Sequence, residues 1–275
     1  MPLRDGYAHG TPGWIDLSCA EPEVAKAFYG GLFGWQWEDQ EGPGGAFTYS
    51  IAHLEGRTVA GLGPAPPELV KAGFRGAWNT YLMVDSVDAA YRSVLNAGGK
   101  SLVSPLDVMD AVRMAFVMDD QGTCSGLLEA RAHKGAQVVN EPGAFTWVEL
   151  YVPDPDRAAE FYRAALGLVA QPVDFGPGAR TMSYSGLTVG ERVVGGLMGI
   201  PMEGMPPQWH VYVGSADVDQ TAAKAIELGG EVMTGPFALP QEGDVPDGRI
   251  VVMHDPGGAM FSALELDEWP AEIGD

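Results

Sequence analysis

Trp14–Trp35, WIDLSCAEPEVAKAFYGGLFGW, returns later in the chain as Trp147–Leu168, WVELYVPDPDRAAEFYRAALGL, without a gap and with the same residue at seven of 22 positions. Chance at ordinary residue frequencies gives about one or two such matches. A second pair follows: Trp78–Lys100, WNTYLMVDSVDAAYRSVLNAGGK, aligns with Trp209–Glu231, WHVYVGSADVDQTAAKAIELGGE. A third, Asp119–Glu129 against Asp255–Glu265, closes each copy. The offset passes from 133 through 131 to 136 residues, so the second copy has gained five, most simply as a longer loop around Gln241–Arg249. The 275 residues therefore divide into two homologous domains, 10–132 and 143–268, joined by a linker over 133–142.

Each copy repeats one local order twice. Trp14–Cys19 alternates as a strand, and Pro22–Phe33 has Val24, Ala27, Phe28 and Leu32 at helical spacing with Gly34 as its stop. Phe47–Ala52 and Thr58–Leu62 read as a hairpin about a turn at His53–Gly56. The scheme then restarts with strand Asn79–Val84 and helix Val87–Ala97, closed by Gly98 and Gly99. Leu102–Pro105, Arg113–Met118 and Ser125–Glu129 complete it as strands. The fold class is α+β, with two βαβββ modules per domain and curved mixed or antiparallel sheets around a cleft.

Each copy carries a helix-borne AFYGGLFGW (Ala27–Trp35) or EFYRAALGL (Glu160–Leu168), and a DxxG turn entering its last strand, DDQGTCSGLLE (Asp119–Glu129) or DPGGAMFSALE (Asp255–Glu265). Ordered twice at matching spacing over about 250 residues, these motifs resemble the vicinal oxygen chelate superfamily of glyoxalases, bleomycin-resistance proteins and extradiol dioxygenases, in its tandem two-domain form. That superfamily holds metal-dependent isomerases, lyases and dioxygenases beside metal-free drug-binding proteins, so the resemblance implies a fold before it implies a reaction.

Strand periodicity of two separates the faces of the first strands. Ile15, Leu17 and Cys19, with Val148, Leu150 and Val152, form the apolar sets expected beneath the helices. Trp14, Asp16 and Ser18 face the other way, as do Trp147, Glu149 and Tyr151. Asn79 and Tyr81 join the first group, His210 and Tyr212 the second. Single polar residues on the wet face of a sheet need no function. Trp and Tyr recurring there in both copies suit a face curved around a ligand.

The resemblance implies metal ligands on the first strand of each module and on a closing strand. Carried over, those positions are Trp14, Asn79 and Gly126 in one copy and Trp147, His210 and Ser262 in the other, and only His210 is a good ligand. No metal or other cofactor is therefore expected, with a divalent metal as the alternative. His53 falls in the expected turn, His9 and His133 in connecting segments and His254 before the DPGG turn, so these read as surface or turn residues. Glu129 and Glu265, three residues beyond the closing-strand position, should face away from the cleft.

The expected site lies mainly in the second domain. Glu149, His210 and Tyr212 form a catalytic set in which a near-neutral histidine beside a carboxylate moves a proton. Trp14, Asp16, Asn79, Tyr81, Trp147, Tyr151 and Ser262 are the ligand-binding residues. The leading expectation is binding, or metal-independent acid/base modification, of an aromatic or polycyclic metabolite. One alternative is a metal-dependent lyase, isomerase or dioxygenase using His210 and Glu149; another is a non-catalytic regulatory or interaction module. The cleft residues that differ, Asp16 against Glu149, Ser18 against Tyr151 and Asn79 against His210, suggest that the copies share a frame more than a site.

Composition bounds the partners. A net charge of −21, spread along the chain, repels phosphate backbones and argues against nucleic acid. No apolar run reaches the roughly 20 residues of a membrane span, and Met1–Gly13 lacks a secretory pattern, so a cytoplasmic monomer or homodimer is expected. Cys19 and Cys124 read as small buried residues of a reduced compartment.

Overall fold

The computed structural model of the chain describes residues 3–41, 47–174, 183–239 and 246–269. The first module runs β1 (Pro12–Cys19), α1 (Pro22–Phe33), β2 (Gln36–Glu41), β3 (Phe47–Leu54) and β4 (Arg57–Pro64). After α2 (Pro67–Lys71) come β5 (Gly76–Met83), α3 (Val87–Asn96), β6 (Lys100–Val108), β7 (Val112–Met118) and β8 (Cys124–Ala130). The second domain repeats this as β9 (Phe145–Val152), α4 (Pro155–Leu166), β10 (Val169–Pro172), β11 (Tyr184–Val189) and β12 (Arg192–Gly199). It ends with β13 (Gln208–Gly214), α5 (Val218–Glu227), β14 (Glu231–Ala238), β15 (Gly248–His254) and β16 (Met260–Leu266). Each domain is one open mixed sheet, ordered β2-β3-β4-β1-β5-β8-β7-β6 and β10-β11-β12-β9-β13-β16-β15-β14. The expected pair of βαβββ modules per domain is the observed one.

The helices start and stop where their capping chemistry directs. Pro22 and Pro155 occupy first turns, where a missing N–H costs no helical bond, and Gly34 and Gly167 close the helices in the left-handed region (φ 74 and 72°). Asp154, Ser86 and Asp217 accept from the third residue of α4, α3 and α5. Glu129 and Glu265 accept from Val87 N and Val218 N at the starts of α3 and α5, 3.0 and 2.8 Å. They therefore lie on the helix side of the sheets and satisfy helix-end N–H groups.

The two motifs of the repeat meet across the domain boundary. Asp119 and Asp255 each hold their own turn through Oδ1, which accepts from Thr123 N and Ala259 N, 2.8 Å each. Their other oxygens accept from the opposite domain's helix: Tyr162 to Asp119 Oδ2, 3.2 Å, and Tyr29 to Asp255 Oδ2, 3.1 Å. Phe28 and Tyr29 of α1 pack edge-on against Phe261 of β16, and Trp78 Nε1 donates to the Tyr29 hydroxyl. The helix-bearing faces are thus turned towards each other around one continuous core.

Several local expectations are corrected. The residues that α1 buries are Ala25, Lys26, Phe28 and Tyr29, while Val24 and Ala27 are exposed, because an amphipathic tyrosine packed between the domains outweighs apolar spacing. His53 belongs to β3, since the hairpin turns tightly at Glu55 and Gly56 (φ 51 and 78°). Cys124 is exposed at the start of β8, and only Cys19 is buried. Of the proposed inserted loop, 241–245 lies outside the described residues, and Gly248 and Arg249 belong to β15. No helix among the described residues is long and apolar enough to cross a membrane.

Candidate functional site

On the outer face of each sheet, one carboxylate gathers the hydroxyls of tyrosines from its own and nearby strands. Asp16 Oδ2 accepts from Tyr81, 2.7 Å, and Tyr49, 3.0 Å, and Oδ1 from Asn79 Nδ2, 2.8 Å. In the second domain Glu149 Oε2 accepts from Tyr212, 2.5 Å, and Tyr151, 2.8 Å, and Oε1 from Tyr184, 2.9 Å. The first-strand indoles complete both sets: Trp14 Nε1 donates to Tyr49 Oη, 2.9 Å, and Trp147 Nε1 to Tyr184 Oη, 3.2 Å. The common hub is Trp, carboxylate and two Tyr, so the copies share more of a site than their differing cleft pairs suggest.

Register explains the convergence. Asp16 lies opposite Asn79 and beside Gly61, and Trp14 opposite Tyr81; Glu149 lies opposite His210 and beside Gly196, and Trp147 opposite Tyr212. A Cβ on Gly61 or Gly196 would run into the hydroxyl of Tyr49 or Tyr184. These glycines open the path by which each tyrosine crosses β4 or β12 to reach the carboxylate. Tyr49 and Tyr184 were not anticipated from the sequence, because alternation does not say which hairpin residue leans over its neighbour. A usable signal existed: Tyr49 and Gly61 recur as Tyr184 and Gly196 at one shared offset.

The clusters differ in access. Asp16 is 5% exposed and Trp14 2%, and the ring of His133 stands edge-on to Trp14 at 4.4 Å. The segment after β8 is tied down by Ala136 N to Gly13 O, 2.8 Å, and by Tyr7 Oη to Ala136 O, 2.6 Å. In the second domain Trp147, Glu149 and Tyr184 are each partly exposed, with Trp269 packed into the neighbouring apolar cluster. Burial raises the Asp16 carboxyl against the lowering effect of its three donors. Burial and the adjacent carboxylate push Tyr151, Tyr184 and Tyr212 above the ordinary phenol range, so these hydroxyls stay protonated and act as donors.

His210 is not the neutral-range partner of Glu149 that the sequence suggested. Its Nε2 bonds Ser262 Oγ, 2.7 Å, and its buried Nδ1 has no partner among the described residues. The ring stacks on Tyr151 at 5.3 Å and meets Tyr212 edge-on at 5.0 Å. Burial, and secondarily His254, lower its pKa to about 3. Of the anticipated residues, Glu149, Tyr151 and Tyr212 are brought together, as are Trp14, Asp16, Asn79 and Tyr81. Trp147 joins Glu149 through Tyr184, and His210 and Ser262 form a separate pair behind Tyr151 and Tyr212.

This geometry accompanies a clear likeness to known proteins. The family model of the Glyoxalase/Bleomycin resistance protein/Dioxygenase superfamily matches residues 11–123, and that of a Glyoxalase-like domain matches 147–264. The chain belongs to this superfamily. It is 42% identical over 265 residues to "Putative glyoxylase CFP32" of Mycobacterium tuberculosis (strain CDC 1551 / Oshkosh), covering 96% of this chain and 98% of the relative. It is 33% identical over 280 residues to the anthracycline biosynthesis protein DnrV of Streptomyces peucetius, covering 98% of each. The Mn(II)-bound glyoxalase from Novosphingobium aromaticivorans shares the fold with a TM-score of 0.64 at 17% identity, over 95% of this chain and 83% of that one. Homoprotocatechuate 2,3-dioxygenase from Arthrobacter globiformis does so with 0.66 at 14%, over 99% and 83%.

A divalent metal in the manner of that Mn(II)-bound superfamily neighbour would need nitrogen and oxygen donors converging on one point. Among the described residues no three His, Cys, Asp or Glu converge. Both oxygens of Glu149 already accept from phenols, and the positions flanking it offer Trp147, His210 and Ser262, whose histidine Nε2 is engaged with the serine. Such a donor set does not fit a metal.

Proposed function

We propose that the second domain binds an aromatic or polycyclic small molecule on its outer face, in the cytoplasm, with Glu149 as the group that recognises a ligand hydroxyl. Glu149 already accepts three phenolic O–H groups, and a phenolic or enolic ligand offers a fourth donor of the same kind. With such a ligand, Glu149 takes the O–H or activated C–H proton; neutralised, it releases phenolic O–H groups of Tyr151, Tyr184 and Tyr212 that it had accepted, and these turn to donate to the resulting oxyanion. His210 stays neutral near pH 7 and positions Tyr151 by stacking, so it is assigned no proton-transfer role. Membership of one superfamily with an anthracycline biosynthesis protein supports a polycyclic ligand.

The observation that carries this reading is a duplicated carboxylate–phenol hub whose carboxylate and indole are partly exposed in the second domain, at Glu149 and Trp147, and buried in the first, at Asp16 and Trp14. Titration of the protein with a hydroxylated anthraquinone, followed by tryptophan quenching, tests it. Saturable binding weakened at least tenfold by Glu149→Gln, and unchanged after exhaustive chelation, is the expected result. Equal binding by the variant, or a stoichiometric metal whose removal abolishes binding, would sink the proposal.

A further inference from the structure

The boundary between the domains opens on one side into a cleft of about 460 Å³ that shares no residue with either carboxylate cluster. Its walls are Phe74 and Trp78 from the first domain and Met202, Met205, Trp209 and Met260 from the second. Both indole N–H groups are engaged elsewhere, Trp78 with Tyr29 and Trp209 with Ser125, so the small part of each buried ring that reaches the cleft, in residues 8% and 3% exposed, is carbon. Methionine thioethers adapt their shape and make favourable contacts with aromatic rings, and three of them line this cleft together with two indoles. Met202, Glu203 and Met205 lie on the connection from β12 to β13, where the first domain instead has α2. The duplication therefore does not reproduce this wall.

The polar lining selects among flat ligands. Glu203, Gln208 and His254 contribute to it, and no Lys or Arg does. A chain of net charge −21 further disfavours anions. The volume lies within the range of ordinary small-molecule sites, roughly 300–1,000 Å³. We infer that this interdomain cleft is a second small-molecule site, which takes a planar fused-ring aromatic cation between the indole and methionine walls with its positive charge towards Glu203. It stands apart from the Glu149 reading, because none of its lining groups belongs to that cluster.

Protein labelled with [13C]methyl-methionine, titrated with 9-aminoacridine and separately with anthracene-2-sulfonate, tests the inference. The methyl resonances of Met202, Met205 and Met260, assigned by single Met→Leu changes, should move together and saturate with the cation. The sulfonate, with the same ring count and opposite charge, should bind at least tenfold more weakly. Met205→Arg and Met202→Arg, both on the exposed connection, should each weaken 9-aminoacridine binding about tenfold, whereas Glu149→Gln leaves it within twofold. Still methyl resonances at saturating probe, equal binding of cation and anion, or loss of the shifts in Glu149→Gln would each overturn it. Failure of hydroxyanthraquinone binding at Glu149 would leave these readouts unchanged, so the two proposals fail separately.

Discussion

Tyr49→Phe removes one oxygen and two hydrogen bonds: the one the hydroxyl donates to Asp16 and the one it accepts from Trp14 Nε1. Asp16 and Trp14 are almost fully buried, so water cannot readily replace either partner. A bond to an ionised group contributes about 1.5–3 kcal/mol, and an orphaned buried donor costs about 1–3 kcal/mol; with some relaxation the expected loss is about 3 kcal/mol. Tyr184→Phe removes the same two bonds around Glu149 and Trp147, which are partly exposed, so water substitutes and the loss should be about 1 kcal/mol. Urea unfolding measures the difference. At an m-value of about 3 kcal/mol/M, the midpoint falls by about 1 M for Tyr49→Phe and by about a third of that for Tyr184→Phe. Equal losses, or a larger loss for Tyr184→Phe, would refute the claim that the first cluster is sealed and the second open.

Acid should destabilise the protein through buried His210 and half-buried His133. His210 and His133 are held to about 3 and about 4 by burial, below an unfolded histidine near 6.5. Protons therefore bind the unfolded chain first, and stability present above pH 6.5 falls as pH drops, by up to ~1.4 kcal/mol per pH unit for each group. His210→Gln should reduce the slope of stability between pH 6 and 5 by about 1 kcal/mol per unit; an unchanged slope would show that His210 titrates normally. Tyr29→Phe and Tyr162→Phe each cut a buried bond across the domain boundary and should cost about 2 kcal/mol in urea unfolding without altering hydroxyanthraquinone affinity. Glu265→Ala uncaps α5 and should cost about 1 kcal/mol, whereas a loss of ligand binding with stability intact would place Glu265 in the site instead.

The fold was legible because its signal is redundant. Two copies each supply an alternating first strand, a helix closed by Gly34 or Gly167, and a DxxG turn, and strand faces follow from a period of two whatever the partner strands do. The outward placing of Trp14, Asp16, Asn79 and Tyr81, and of Trp147, Glu149, Tyr151 and Tyr212, follows from that parity together with the register of β1 with β5 and of β9 with β13. The meaning of the DxxG turn was not legible. Its aspartates bind the other domain's helix, a contact between residues 226 positions apart in one case and 43 in the other.

The sequence by itself determined the duplication, the βαβββ modules and the face on which each first-strand side chain lies, because these are local periodicities. Only the tertiary structure decided who meets whom. Tyr49 and Tyr184 reach their carboxylates over glycines in a neighbouring strand, so Glu149 gains Tyr184 beside the Tyr151 and Tyr212 that alternation placed near it, while His210 pairs with Ser262 instead. His133, from beyond the sheet, covers Trp14 in one domain, while the corresponding first strand of the other keeps Trp147 and Glu149 partly open. Those outcomes depend on inter-strand register and on packing between segments far apart in the chain, neither of which a linear pattern encodes.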